Sequence, residues 1–179
     1  RINRGKGDST IATDTFGWAV AAIGPATLQA IAFDPEGIMD FAEEHCGVTV
    51  DFREQDGKTV KGQGFDFAKA QHIGRGGVVS AEWTAQMIVS YQVMARHFRR
   101  LNDADKALFY QRKADLYLAE LQKMLITSPS RTGQGRGCLP YASADNVDTG
   151  HGWRTPKGAS TGSVAATSYG IFAWKGYNP

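Results

Sequence analysis

The sequence predicts a mainly α-helical protein made of antiparallel helical hairpins, with one short β-hairpin inserted between them. Two long stretches with helical spacing of apolar residues, joined at Asn102-Asp103, predict an αα-hairpin. One segment changes period: Val48, Val50 and Phe52 alternate with Thr49, Asp51 and Arg53, which is strand spacing. The chain has 179 residues, of which 42% are hydrophobic, enough to build one sizeable core and to treat 1–179 as a single domain.

Taken in order, the first helical region runs from Phe16 to Phe33, and Gly24-Pro25 divides it, because proline breaks a helix interior but suits a first turn. Asp34-Pro35-Glu36 then supplies a capping acid, a proline at the first position and an acidic first turn. That helix carries Ile38, Phe41 and Ala42 on one face and ends near Gly47. Gln55-Asp56-Gly57-Lys58 reads as a hairpin turn, with Thr59-Val60-Lys61 returning as the partner strand. Ser80 is the expected N-cap of the strongest helix, in which Trp83, Met87, Tyr91, Met94 and Phe98 recur at helical spacing. Its partner extends to about Ile126, and a last helix rich in small residues spans Ser160 to Lys175, stopped by Gly176. Between them, Thr127 to Gly158 is irregular yet holds Tyr141, His151 and Trp153. A long loop with embedded aromatic residues suggests function, since disordered linkers are poor in them.

Lys and Arg total 20 against 18 Asp and Glu, so a net charge of +2 gives no field for steering onto nucleic acid or anionic lipid. No stretch is long and apolar enough to span a bilayer. The chain opens on Arg1-Ile2-Asn3-Arg4 without Met and stops at Tyr177-Asn178-Pro179, so both ends are expected to be cuts from a longer protein. Its location therefore stays open, export or association with a cell envelope included. Cys46 and Cys138 are expected to be free, half-buried thiols, with pairing as the alternative in an exported protein.

Four clusters at loop–helix junctions are candidates for chemistry. In Thr13-Asp14-Thr15-Phe16-Gly17-Trp18, a carboxylate beside rings suits sugar binding, though the same residues suit an ordinary helix cap with Trp18 in the core. In Gly64-Phe65-Asp66-Phe67, the acid is either a ligand contact or a turn residue between core rings. Glu82 and Gln86 are four apart at the start of the long helix and share a face, so both can meet one ligand. The helix dipole alone also favours an acid there, but Trp83 can supply the desolvation that raises a carboxyl toward general-acid use. In the long loop, Tyr141, Asp148, His151, Trp153 and Arg154 sit among glycines, and a solvated loop with one packed Trp is the alternative. Phosphate-cradling loops, a nucleophile elbow and HExxH are missing, and His72 and His97 lack ligand spacing, so no metal or other cofactor is expected.

Asp14-Thr15-Phe16-Gly17-Trp18, Gly64-Phe65-Asp66-Phe67, Glu82-Trp83-Thr84-Ala85-Gln86, Ala165-Ala166-Thr167-Ser168-Tyr169 and Gly176-Tyr177-Asn178-Pro179 together give the chain a family likeness. It resembles the C-terminal half of the six-hairpin glycosidases, the (α/α)6 toroids, from about Asp14 to the end. Trp83 stands where such proteins often keep a small residue, and Tyr169 where many have Trp. The resemblance implies that Asp14, Asp66 and Glu82 lie at the mouth of a funnel lined by Trp18, Tyr141, His151 and Trp153. It also implies that the N-terminal hairpins belong to another part of the protein. Half a toroid exposes apolar helix faces and needs that part, a partner chain or a second copy to cover them.

Hydrolysis of a glycosidic bond in an oligo- or polysaccharide is therefore the leading expectation, with Glu82 as acid and Asp14 ahead of Asp66 as its partner. A carboxylate gap of about 5–5.5 Å would give retention and roughly 6.5–9.5 Å inversion. One alternative is polysaccharide β-elimination with Tyr141 or His151 as base and Arg154 on a uronate. The other is a non-catalytic glycan-binding or assembly module.

Overall fold

A computed structural model describes residues 2, 5–54, 56–127, 136–157 and 161–179 of the chain. About 51% is helical and, among the described residues, one small two-stranded antiparallel sheet accompanies the helices, so the mainly α expectation holds. The helices are α1 (Thr13–Trp18), α2 (Pro25–Ala30), α3 (Pro35–Cys46), α4 (Ala70–Ile73), α5 (Ala81–Arg100), α6 (Ala104–Gln122) and α7 (Val164–Lys175). A π-helical stretch, Ala19–Ile23, continues α1 as far as Gly24, whose φ of 85° turns the chain before Pro25 restarts it as α2.

Side-chain caps explain most of these boundaries. Asp34 Oδ1 accepts from the Glu36 amide at 3.0 Å, Asp103 Oδ1 from Lys106 at 3.0 Å and Ser163 Oγ from Ala166 at 3.1 Å. Ser80 Oγ accepts from the Trp83 amide at 3.4 Å, as its position predicts. The last helix begins at Val164 because Ser163 caps it there; Ser160, its expected start, lies outside the described residues. The α6 helix ends at Gln122, short of Ile126, because the chain turns at Lys123-Met124 and the Ile126 amide then pairs with the Cys138 carbonyl. Gly176, at φ 65°, closes α7 in the left-handed conformation.

The β-hairpin pairs β1 (Gly47–Arg53) with β2 (Thr59–Phe65), from Gly47 opposite Phe65 to Arg53 opposite Thr59. Its second strand runs four residues beyond Lys61, and Gly64 lets its end pass tightly against its neighbours. A Cβ on Gly64 would sit 2.7 Å from both Thr84 Oγ1 and Val79 Cγ1. Thr84 Oγ1 in turn accepts the Phe65 amide at 2.9 Å, so the glycine seats the strand end against α5. Gly64→Ala is expected to cost about 1–3 kcal/mol in urea unfolding through overpacking. An unchanged midpoint would show that α5 can retreat.

The core lies mainly between α5 and α6, with α1 and α7 packed onto α5 and α3 against α1. Rings form its spine: Phe98 stacks on Tyr110, Tyr91 on Tyr117, and Tyr117 meets Phe65 at 4.9 Å. Tyr117 and Tyr91 donate their hydroxyls to Glu43 at 2.7 and 3.2 Å, and Lys113 neutralises that carboxylate, so the buried phenols are satisfied. Cys46 and Cys138 are both free; Cys46 is buried, which pushes its thiol up to about 11, whereas Cys138 is partly exposed. Among the described residues no helix is long and apolar enough to cross a membrane. Beside α6 and α7, an open apolar groove of about 310 Å³ is walled by Leu118, Leu125, Ile171 and Trp174.

Candidate functional site

Two helix starts meet at the site. Asp14 and Trp18 lie four residues apart on α1, and Glu82 and Gln86 lie four apart on α5, so each pair shares a helix face. The helices pack where Gly17, with no side chain, faces Met87 and Ser90, and Ser90 donates its hydroxyl to the Gly17 carbonyl at 2.8 Å. Thr13 anchors the start of α1: its amide donates to the Phe67 carbonyl at 3.2 Å and its hydroxyl to the Asp66 carbonyl at 2.5 Å.

Glu82 is half-buried, and its carboxyl pKa is raised, first by burial and then by the negative charge of Asp14. Gln86 Nε2 donates to Glu82 Oε1 at 3.2 Å. That bond by itself favours the charged form, as does the helix N-terminus. Asp14 Oδ1 accepts the Thr15 amide at 2.8 Å. Tyr169 of α7 closes another side, and its phenol pKa is raised by burial and by Glu82. Tyr169 carried no functional assignment from the sequence, because its spacing in a helix of small residues looks like packing.

Trp18 is not in the core; it is 54% exposed and walls a cavity shared with Gln86 and Tyr169. Trp83, next to Glu82, belongs to a separate ring cluster. It packs edge-on to Phe67 at 4.9 Å and to His151 at 4.6 Å. Trp153 joins through Phe67 at 5.7 Å, and Tyr141 through Trp153 at 6.4 Å. His151 Nε2 lies 3.4 Å from the Phe67 carbonyl, which only accepts, so that nitrogen bears the proton in this bond. The same carbonyl takes the Thr13 amide, which brings the long loop against the start of α1.

The loop is fixed where α5 begins. Ser80 bridges Ala142, the Ala81 amide donates to the Tyr141 carbonyl, and Val79 and Ser143 bond each other at 2.8 and 3.0 Å. Asp148 Oδ1 accepts the Gly150 amide, holding a tight turn that returns at Arg154. Arg154 donates from Nε and Nη2 to Asn146, so its guanidinium braces the loop. Tyr141, His151 and Trp153 thus converge near Trp83, while Asp148 and Arg154 shape the turn behind them.

Asp66 sits elsewhere. Its side chain is fully buried and accepts Arg75 Nη1 at 2.9 Å, Arg75 Nη2 at 2.7 Å, the Val78 amide at 3.0 Å and the Phe67 amide at 2.7 Å. A carboxylate with that many donors and no exposed surface is a strut between the hairpin and the segment leading to α5. Among the described residues, no three His, Cys, Asp or Glu side chains gather in a way that could hold a metal ion.

No known family model, curated protein or solved structure matches this chain.

Proposed function

We propose that this protein is a carbohydrate-active, glycoside hydrolase-like component in which Glu82 is the general acid and Asp14 its carboxylate partner. The observation that carries the reading is the raised pKa of the Glu82 carboxyl beside a second acid on a packed helix. A raised pKa keeps the proton on Glu82 to higher pH than an ordinary glutamate, which suits protonation of a departing glycosidic oxygen. Asp14 then either attacks the sugar carbon or activates water. Trp18 provides an exposed ring for an apolar sugar face, and the Trp83, His151, Trp153 and Tyr141 cluster flanks the same helix start. Asp66 stays outside this reading, because a buried carboxylate committed to Arg75 has no route to a substrate.

The helical hairpins and the uncovered groove at Leu125, Ile171 and Trp174 support membership of an (α/α) toroid whose remaining hairpins, or a partner, cover that groove. The test is incubation with a panel of polysaccharides, scoring reducing ends and ultraviolet absorbance. Reducing-end release without an absorbing product supports hydrolysis. An unsaturated, absorbing product assigns the site to β-elimination with His151 or Tyr141. Binding without turnover makes it a glycan-binding module.

A further inference from the structure

We propose that the cavity where the C-terminal ends of α5 and α7 meet the middle of α6 binds the phosphate group of a small soluble monoester, held by Arg96, Arg99 and Lys175. The inference goes beyond the hydrolase reading and does not rest on it. Glu82 opens α5 whereas Arg99 lies in its last turn, so roughly 25 Å of helix separates them. The cavity encloses about 360 Å³. That is at the small end of the range for ligand sites, about 300–1,000 Å³.

Its walls carry charge without counter-charge. Arg96 and Arg99 reach it from α5 and Lys175 from α7. Lys61, Arg75, Lys106, Lys113 and Lys123 each have a carboxylate partner, but among the described residues none of these three does. Burial, then the charges of Arg100 and Arg99, push the pKa of the Arg96 guanidinium down, as expected where cations crowd one another. Among the described residues, Asp115 is the only carboxylate on the wall. Asp115 and the negative ends of the two helix dipoles offset part of the charge, and about one to two units are left over. A phosphate monoester brings about 1.5–2 negative charges near neutrality.

The guanidinium groups are braced before any ligand arrives. Arg96 Nη1 donates to the Gly176 carbonyl at 3.1 Å, and Arg99 Nη2 to Gln111 Oε1 at 2.8 Å. Gln111 Nε2 donates in turn to Asp115 Oδ1 at 2.9 Å, so the Gln111 amide has one orientation. Gln92 Nε2 donates to the Ala173 carbonyl at 2.7 Å and pins the end of α7 to α5. Each guanidinium spends one N–H on these bonds and keeps the rest of its fork. Three cations from two helices match the three terminal oxygens of a phosphate monoester, whereas a carboxylate has only two. Leu118 and Trp174 complete the wall, and Trp174 is 65% exposed, which offers apolar surface to the organic part of the ester. The confined cavity and a net chain charge of only +2 favour a small ester over a nucleic acid or a lipid surface.

Amide NMR titration of the whole chain at physiological salt tests this, with inorganic phosphate and phenyl phosphate set against acetate. Co-sedimentation with vesicles containing phosphatidate forms a separate arm. The expected result is saturable binding of both phosphates, with shifts centred on Arg99, Lys175 and Gly176 and acetate weaker by roughly tenfold. Arg99→Gln and Lys175→Ala, both at exposed positions, should each weaken phosphate binding by about three- to tenfold. Arg112→Gln removes the same charge from an exposed position of α6 outside the cavity and should leave binding unchanged. Failure of the phosphates to saturate, acetate as tight as phosphate, or equal losses in Arg112→Gln and Arg99→Gln overturns the proposal. Binding to the vesicles alone also overturns it and assigns these cations to a lipid surface. Glycan turnover with and without Glu82→Gln reports only on the hydrolase reading, so the two fail separately.

Discussion

Glu82→Gln is expected to lower turnover of a susceptible glycan by about 10²–10⁴-fold, the range typical of losing one general acid. The substitution keeps the shape of the side chain and an oxygen for Gln86 Nε2, which donates at 3.2 Å in the native protein. What it removes is the transferable proton. Stability should move the other way. Burial and Asp14 hold the Glu82 pKa above its unfolded value, so the folded state gains most from this group in acid and loses that gain as pH rises through the folded-state pKa. The amide is neutral throughout. The variant should therefore match the wild type in acidic buffer and unfold at higher temperature near neutrality. Loss of activity with unchanged or improved thermal stability assigns the proton to Glu82. Full turnover in the variant removes Glu82 as the acid, whatever its stability.

Arg75→Met is expected to destabilise the protein by about 3–5 kcal/mol, the usual consequence of leaving a buried carboxylate without its counter-charge. Asp66 would keep the Phe67 and Val78 amides at 2.7 and 3.0 Å but lose both guanidinium contacts. The damage should reach the site, because the Arg75 Nε also donates to the Asp148 carbonyl of the long loop at 2.6 Å. Urea unfolding of Arg75→Met and of the double variant Asp66→Asn/Arg75→Met checks the cause. The double variant should recover part of the loss, since an uncharged amide is cheaper to bury than an unpaired charge. A loss below about 1 kcal/mol in the single variant would show that water reaches Asp66.

Helix starts were the most legible part of the fold. Asp34, Ser80 and Asp103 act through one local hydrogen bond each, and such a signal is complete within four residues of chain. Helix ends were harder: α6 stops at Gln122 because of Cys138, a residue well beyond the helix and invisible to periodicity. At the site, Glu82 and Gln86 could be paired from their spacing alone. Asp66 could not be separated from Asp14 by composition, because both stand beside aromatic residues. The difference is Arg75, nine positions from Asp66 in a stretch without helical or strand rhythm. Tyr169 was hidden for a related reason. It owes its place beside Glu82 to α7 lying against α5, which spacing within one helix does not disclose.

The Phe67 carbonyl, shared by Thr13 and His151, sets an order of assembly. The αα-hairpin of α5 and α6 closes through a turn of three residues and needs only neighbouring chain. The bonds that bring the site together span 84 positions from Phe67 to His151, 73 from Gly17 to Ser90 and 157 from Ala21 to Asn178. Closing such loops costs entropy before any contact repays it, so the helical pair forms early and the cleft is knitted last. A protein built this way can retain its helical signal after its chemistry has gone.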